Sequence, residues 1–490
     1  MARYMLAVDE GTTNAKACLV DAAGHIVREA ACALEVAYPQ PAWVEQDPGE
    51  IWRATRQVIA DVMTAIPPTD LAGLGIANQR ESVLVWERQS GAPLGPCITW
   101  QCHRTAPACA ELRSRGCEPL LVERTGLTID PMFSATKARW LLEHIPDGVR
   151  RAESGEICIG TVDAWLLWNL TGGASFCCDV TNACRTQLFD LGSLRWDPEL
   201  CDLFGIPLAA LPQVRLSSSF YGETVAQAGL PAGIPIGALA GDSHAALFGH
   251  AAFAPGTIKA TYGTGSSLMT PTAERVHPRS GLSSSIAWGH EHVMYALEGN
   301  IYVTGAAVQW LADLLRVDGP GAIEELAASD SGGVFFVPAL VGLGAPHWRG
   351  DARGVICGLT RGTTAAHLAR ATVESIAYQV MDVFTLMQEE AGASLSVLMA
   401  DGGPARNRAL MQFQADVLDV PVLASEVGDV SALGAAYLAG LTVGFWSSRD
   451  QLAALPRQHR RYEPAMAEST RAALRAGWDD AIGRALWRSQ

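Results

Sequence analysis

Two segments of this chain pair glycine with threonine where a polyphosphate could be gripped. One is Asp9-Glu10-Gly11-Thr12-Thr13, after the apolar run Tyr4-Met5-Leu6-Ala7-Val8; the other is Tyr262-Gly263-Thr264-Gly265-Ser266, after Ile258-Lys259-Ala260-Thr261. Glycine lets backbone N–H groups face an anion without a side chain in the way, and the threonine hydroxyls add donors. Asp9, at the end of an apolar run, is placed to hold a magnesium ion or its water shell against those phosphates. A single Gly-Thr-Gly is ordinarily a hairpin. Two in one chain make nucleotide chemistry the first expectation.

A second group of residues suits a polyhydroxyl substrate. Asn78-Gln79-Arg80-Glu81 follows the apolar Leu74-Gly75-Ile76-Ala77, at the carboxyl end of a strand where α/β proteins build ligand sites. Carboxylate accepts from hydroxyls, guanidinium donates to them, and Trp100 offers a flat wall for a carbon chain. On local sequence alone, the plainer reading of Arg80 and Glu81 is an ordinary ion pair with each other. Asp242 sits at a strand-to-helix junction, where its plain role is an N-cap. Phosphoryl transfer to an alcohol also needs a carboxylate near the attacking hydroxyl, and Asp242 is the candidate general base. Asp401-Gly402-Gly403-Pro404-Ala405-Arg406-Asn407 is a third glycine turn, which taken singly reads equally as a simple loop or as a seat for a flat adenine or ribose with Asn407 as a polar reader. His290-Glu291-His292 has no further ligand nearby and reads as a solvated loop.

The elements that must position these residues alternate short apolar runs with amphipathic stretches. Leu71 to Asn78 and Ile234 to Ala240 read as strands. Ala106 to Arg115, Ser134 to His144, Ala164 to Leu170, Ser243 to Phe248, Ala365 to Gln388 and Asn407 to Leu418 read as helices, and Thr257 to Met269 as a hairpin like the one that opens the chain. Two halves that each begin with a phosphate-gripping hairpin imply a duplicated α/β architecture, with an N-terminal lobe over 1–245 and a C-terminal lobe over 246–490. The uncharged stretch Val430 to Ser448 carries Ser431, Gly434, Gly440, Thr442 and Gly444, and reads as a small-residue helix inside a domain rather than a membrane span.

Composition bounds the partners. The 490 residues are 49% hydrophobic and 18% charged, with a net charge of −15, so a nucleic-acid-binding face is not expected and an anionic nucleotide must be held by local donors and metal. Only Lys16, Lys137 and Lys259 are lysine among 36 basic residues, and two of them flank the phosphate turns. Twelve scattered cysteines without a CxxC pair read as reduced thiols. With no signal-peptide apolar core at the amino terminus, the expectation is a cytoplasmic protein without stable membrane insertion.

In order along the chain, several segments resemble the FGGY carbohydrate kinases, and within that family the members acting on glycerol. These are Asp9-Glu10-Gly11-Thr12-Thr13, Trp43-Val44-Glu45-Gln46-Asp47-Pro48, Asn78-Gln79-Arg80-Glu81, Trp100-Gln101-Cys102, Met132-Phe133-Ser134-Ala135-Thr136-Lys137, Gly241-Asp242, Tyr262-Gly263-Thr264-Gly265, and the run from Gly342 to Gln379. The resemblance implies a two-lobed, duplicated, actin-like (ribonuclease H-like) fold with ATP and magnesium in the interlobe cleft, and a homodimer or homotetramer. It implies that Arg80, Glu81, Trp100, Met132, Asp242 and Ser243 bind the polyol, with Asp242 the base. Thr12, Thr13, Asn14, Lys16, Thr264, Gly305, Gln309, Gly403 and Asn407 would hold the nucleotide, and Asp9 the metal.

Departures from the family pattern fall in the substrate pocket. Met132 stands where these kinases usually have a tyrosine, Ser243 replaces a glutamine, and an aromatic expected near Ser266-Ser267 is missing. Glycerol therefore competes as substrate with four- or five-carbon polyols and ketoses: erythritol, threitol, erythrulose, xylitol and the pentuloses. An actin-like nucleotide switch without kinase activity is the remote alternative. The glycine-arginine loop through which some bacterial relatives respond to fructose bisphosphate has no counterpart in Gln227-Ala228-Gly229-Leu230-Pro231.

Overall fold

A computed structural model describes residues 3–227, 229–279 and 281–487, so Ala228 of the segment just named lies outside the described residues. The chain forms two compact units. The first comprises 1–253, 284–295 and 429–456, and the second 254–283, 296–428 and 457–490.

In the first unit a six-stranded sheet runs in the order Ser218–Glu223, Pro235–Gly241, Leu71–Asn78, Tyr4–Glu10, Asn14–Asp21, Ile26–Ala33. Its three central strands are parallel, with antiparallel hairpins at the edges. Tyr4–Glu10 and Leu71–Asn78 lie buried between neighbours, which is why they read as unbroken apolar runs instead of alternating ones. Helix Pro48–Met63 covers the sheet near the Asn14–Asp21 and Ile26–Ala33 strands. It opens on Asp47, whose carboxylate accepts from Gly49 N at 2.8 Å, and buries Ile51, Ala54, Thr55, Val58, Ile59 and Val62 on one helical face.

Helix Val430–Val443, the small-residue stretch singled out in the sequence, packs on the same sheet and on helix Asp242–Gly249. A Cβ on Gly75 would strike the Ala435 carbonyl, one on Gly434 the Ala245 carbonyl, and one on Gly237 would come within 2.8 Å of the Ala439 carbonyl. The small residues are thus notches for backbone contact. Among the described residues, no helix is long and apolar enough to cross a membrane.

The second unit repeats the motif. Strands Thr257–Tyr262 and Ser266–Thr272 form an antiparallel hairpin, Val397–Gly402 and Val422–Ser425 follow in parallel, and His459–Tyr462 closes the edge antiparallel. Its core gathers Ile258, Tyr262, Ile376, Tyr378, Leu398, Phe413 and Trp478, with Tyr378 and Trp478 stacked 5.1 Å apart. The helices read from periodicity all form, to within three residues at either end. All twelve cysteines are free thiols.

Candidate active site

Strand register explains why residues far apart in sequence meet. In the first unit Glu10 pairs with Asn78, and Asn78 with Gly241, so three parallel strands end level with one another. Their continuations, Gly11-Thr12-Thr13, Gln79-Arg80-Glu81 and Asp242, leave from a single edge, the place where open α/β sheets hold ligands.

A short helical turn, Val180–Ala183, ties this edge together. Asp179 caps it, accepting from Thr181 N and Asn182 N at 2.9 and 2.8 Å. Asn182 exchanges two amide hydrogen bonds with Asn78, each 3.0 Å, and Thr181 Oγ1 accepts from Gly241 N at 2.9 Å.

Asp242 begins helix Asp242–Gly249, but the N-cap position belongs to Gly241 and no side chain caps there. The carboxylate instead accepts from Ser243 N at 2.5 Å and faces Arg80 Nε at 3.3 Å, with 39% of its side chain open to solvent. Gly241 makes room for that approach, since a Cβ there would lie 2.7 Å from Arg80 Cγ and Cδ. Arg80 and Glu81 do not pair with each other, which corrects the local ion-pair reading. Successive residues leaving a strand end point apart, so Arg80 reaches Asp242 while Glu81, in the left-handed region at φ 61°, turns inward to Arg185 Nε at 2.6 Å. The Arg185 guanidinium also lies 5.1 Å from the Phe133 ring centre, and Ser134 Oγ donates to the Glu81 carbonyl.

Met132 packs with Leu127 and Phe133 against the partly buried Trp100. Beneath it the fully buried Lys137 donates to the Met132 and Thr99 carbonyls at 2.6 and 3.1 Å. Burial pushes the Lys137 ammonium down to about 8, against the attraction of Glu81.

On the phosphate-turn side, Gly11 N donates to Asn14 O and Asn14 Nδ2 to Thr13 Oγ1. The indole of Trp100 donates to Thr12 Oγ1 at 2.8 Å, so Trp100 is both wall and hydrogen-bond donor. Lys16 lies 3.3 Å from Asp429, which caps helix Val430–Val443. Burial opposes charge on Lys16, but Asp429 and Asp9 outweigh it and hold the ammonium above its ordinary value. Asp9 is pushed well above the usual carboxylate range by burial first, then by Asp429 and Asp242, with Lys16 opposing. Its Oδ1 is buried without a hydrogen-bond partner. An orphaned carboxylate oxygen among like charges fits a divalent cation, and magnesium bound mainly through phosphates and water needs only one or two carboxylates. Among the described residues no group of three or more His, Cys, Asp or Glu could hold a metal ion by itself.

The second unit builds its own turn. Gly263 N donates to Gly265 O, and the backbone opening helix Gly305–Leu315 folds over it: Thr304 N and Ala306 N donate to Thr264 O, Gly305 N to Gly263 O. A Cβ on Gly265 would strike the Ile301 carbonyl, so the close turn requires glycine. With its carbonyl engaged, Thr264 is left exposed. Gly402, at φ 92°, has no room for a Cβ beside the Tyr262 carbonyl, whereas Gly403 faces open space. Asn407 Oδ1 caps helix Arg408–Leu418 at 3.0 Å from Leu410 N, and the exposed Gln309 donates to Asp313. Ser266 donates to Thr304 and Ser267 to the buried Glu298. Lys259 is buried, its ammonium on Thr261 Oγ1 at 2.9 Å. His290 and His292 end two strands, with Glu291 at φ 58° as the turn between them and His290 against Ser218, outside both groups of residues.

Both halves of the chain are similar to known proteins. Residues 4–249 match the N-terminal domain of the FGGY family of carbohydrate kinases, and 258–443 its C-terminal domain. The chain belongs to that family. It is 50% identical to the glycerol kinase of Stenotrophomonas maltophilia (strain R551-3), over 99% of this chain and 98% of the relative, and 48% identical to glycerol kinase 2 of Thermotoga maritima, over 99% of each. Among solved structures it superposes on Plasmodium falciparum glycerol kinase with ADP at a TM-score of 0.91, with 32% identity and 99% of both chains covered.

Sequence reasoning passed over Arg185 and Asp429, which reach the site only through long-range packing. Gln46, Gln79 and Lys137 stand inside recognisable motifs, but their partners are not readable from those motifs. Lys137 did leave a signal: it is one of three lysines in the chain and falls on the apolar face of helix Ser134–Glu143.

Proposed function

We propose that this chain is an ATP-dependent polyol kinase that moves the γ-phosphoryl group of ATP to a hydroxyl of glycerol. The observation that carries the reading is Asp242, half exposed at a strand end, steadied by Arg80 and Ser243 N, in the same unit as the buried Asp9 and the Gly11-Thr12-Thr13 turn. The glycerol kinases at 48–50% identity support the substrate class.

In the proposed reaction Arg80 and Glu81 bind neighbouring hydroxyls of the polyol, and Trp100 and Met132 flank its carbon chain. Asp242 takes the proton of the attacking hydroxyl as its oxygen bonds to the γ-phosphorus and the bond to the bridging oxygen breaks, releasing ADP. Thr12, Thr13, Asn14 and Lys16 of the first unit and Thr264, Gly305, Gln309, Gly403 and Asn407 of the second are the residues assigned to the nucleotide. Magnesium, held through Asp9, would offset the charge of the phosphates.

A second reading rests on Met132. A thioether in an apolar cluster with Leu127 and Phe133 offers no hydroxyl to a substrate, which favours a four- or five-carbon polyol or ketose over glycerol. A coupled assay of ADP release across glycerol, erythritol, threitol, erythrulose, xylitol and the pentuloses tests both readings. Turnover that depends on one of these compounds is expected. The same slow hydrolysis with every compound would instead point to a nucleotide switch.

A further inference from the structure

The Trp100 backbone and indole are joined to Thr12 by two separate hydrogen-bonded routes. The direct route is the indole N–H to Thr12 Oγ1, 2.8 Å. The indirect route has four links: Trp100 N donates to Ser82 Oγ (3.1 Å), Ser82 Oγ to Gln79 Oε1 (2.7 Å), Gln79 Nε2 to Gln46 Oε1 (2.8 Å), and Gln46 Nε2 to Thr12 O (2.9 Å). Every link donates in the same direction, so the bonds polarise one another and the orientation of both amides is fixed. Gln79 Nε2 also donates to Glu10 Oε1 at 3.1 Å, anchoring the route under the phosphate turn. Gln46, Gln79, Ser82 and Glu10 are all buried. Breaking one link therefore leaves groups with no water to turn to.

We propose that Ser82, Gln79 and Gln46 are positioning residues that couple the polyol wall at Trp100 to the phosphate turn at Thr12, so that each substrate tightens binding of the other. The inference deepens the kinase reading and rests on it. The physical argument is one of shared ordering. A polyol packed on Trp100 fixes its ring and its peptide N–H, and the Ser82, Gln79 and Gln46 side chains pass that order to the Thr12 carbonyl, which sets the turn so that the Thr12 O–H, whose oxygen accepts from the indole, points at a phosphate oxygen. Nucleotide on Thr12 does the same in reverse, and the ordering cost is met once for two ligands. Linkage requires the effect to be equal in both directions.

The test is calorimetric titration of the full chain with AMP-PNP and magnesium, with and without a saturating amount of the best polyol from the turnover screen. Wild type should bind AMP-PNP about fivefold or more tightly in the presence of polyol, a coupling in the ordinary range for linked sites. Ser82→Ala, which removes a single oxygen, and Gln46→Met should reduce that factor to below about twofold while turnover at saturation of both substrates stays within about threefold of wild type. A purely structural role would shift both affinities together and leave their ratio intact. Coupling retained in both variants, or absent from wild type, overturns the inference while leaving the kinase reading standing. A wild type that phosphorylates no polyol overturns both.

Discussion

Arg185 Nε lies 2.6 Å from Glu81 Oε1, and neither side chain has meaningful contact with solvent. The pair joins the residue leaving strand Leu71–Asn78 to the segment after Val180–Ala183, and it fixes the carboxylate assigned to the polyol. Removing the guanidinium strands a buried charge. Arg185→Met should destabilise the protein by about 3–5 kcal/mol. Arg185→Lys, which keeps the charge but loses the planar fork, should fold and raise the polyol KM about tenfold or more, with the KM for ATP nearly unchanged. Denaturant titration and steady-state kinetics read the two effects. A folded lysine variant with normal polyol KM would show that Glu81 does not depend on this partner.

Asp242→Asn should lower turnover by about two to four orders of magnitude and leave ATP affinity nearly intact, because an amide keeps the shape but cannot take the substrate proton. Retained turnover would reduce Asp242 to an anchor for Arg80.

Thr264, an exposed residue, is assigned to phosphate through its hydroxyl, so Thr264→Val should raise the KM for ATP more than that for the polyol. Asp9→Asn should be more damaging, and its defect should change with magnesium concentration. A magnesium response identical to wild type would remove Asp9 from the metal site.

Met132 makes the substrate-size question concrete. If the apolar cluster leaves a wider pocket, a four- or five-carbon polyol should match or exceed glycerol in kcat/KM, at about 0.8 kcal/mol per added buried methylene. Met132→Tyr should shift the preference back toward glycerol. Strong glycerol preference in wild type, with no change in the variant, would mean that neighbouring residues already close the pocket.

Lys137 gives a pH signature. Burial lowers its folded-state value to about 8, from an ordinary 10.5. Between those values the unfolded chain holds a proton that the folded protein has released, so stability rises with pH across that window. Below about 8 both states are protonated, and the full cost of the buried charge is present. In Lys137→Met the contribution disappears. The stability of wild type minus that of the variant should therefore climb between pH 7.5 and pH 10 in urea titrations, other titrating groups cancelling in the difference. A flat difference would place the ammonium in contact with water.

Local signals made the framework legible. Apolar runs marked the central strands, and Asp242 and Gln79-Arg80-Glu81 stood out because strand ends are where side chains are free to meet ligands. Partner assignments were less accessible. Glu81 chose Arg185, 104 residues away, over the adjacent Arg80, a choice made by sheet register and the φ of 61°. The small-residue pattern of Val430 to Val443 announced a packed helix, but nothing in its own sequence names Gly75, Gly237 and Ala245 as its neighbours. Asp429 entered the site only because that helix did.

The return of residues 429–456 to the first unit also has a consequence for biosynthesis. The notches at Gly75 and Gly237 face a helix that is translated after almost all of the second unit. At 5–20 residues per second, a nascent chain would wait roughly 10–40 s between completing the Asp242–Gly249 helix and receiving Val430–Val443. Throughout that interval the apolar face that the helix covers is open, an invitation to chaperones in the cell and to aggregation in a fragment ending near residue 250. Supplying the 429–456 segment as a separate peptide is the natural way to rescue such a fragment.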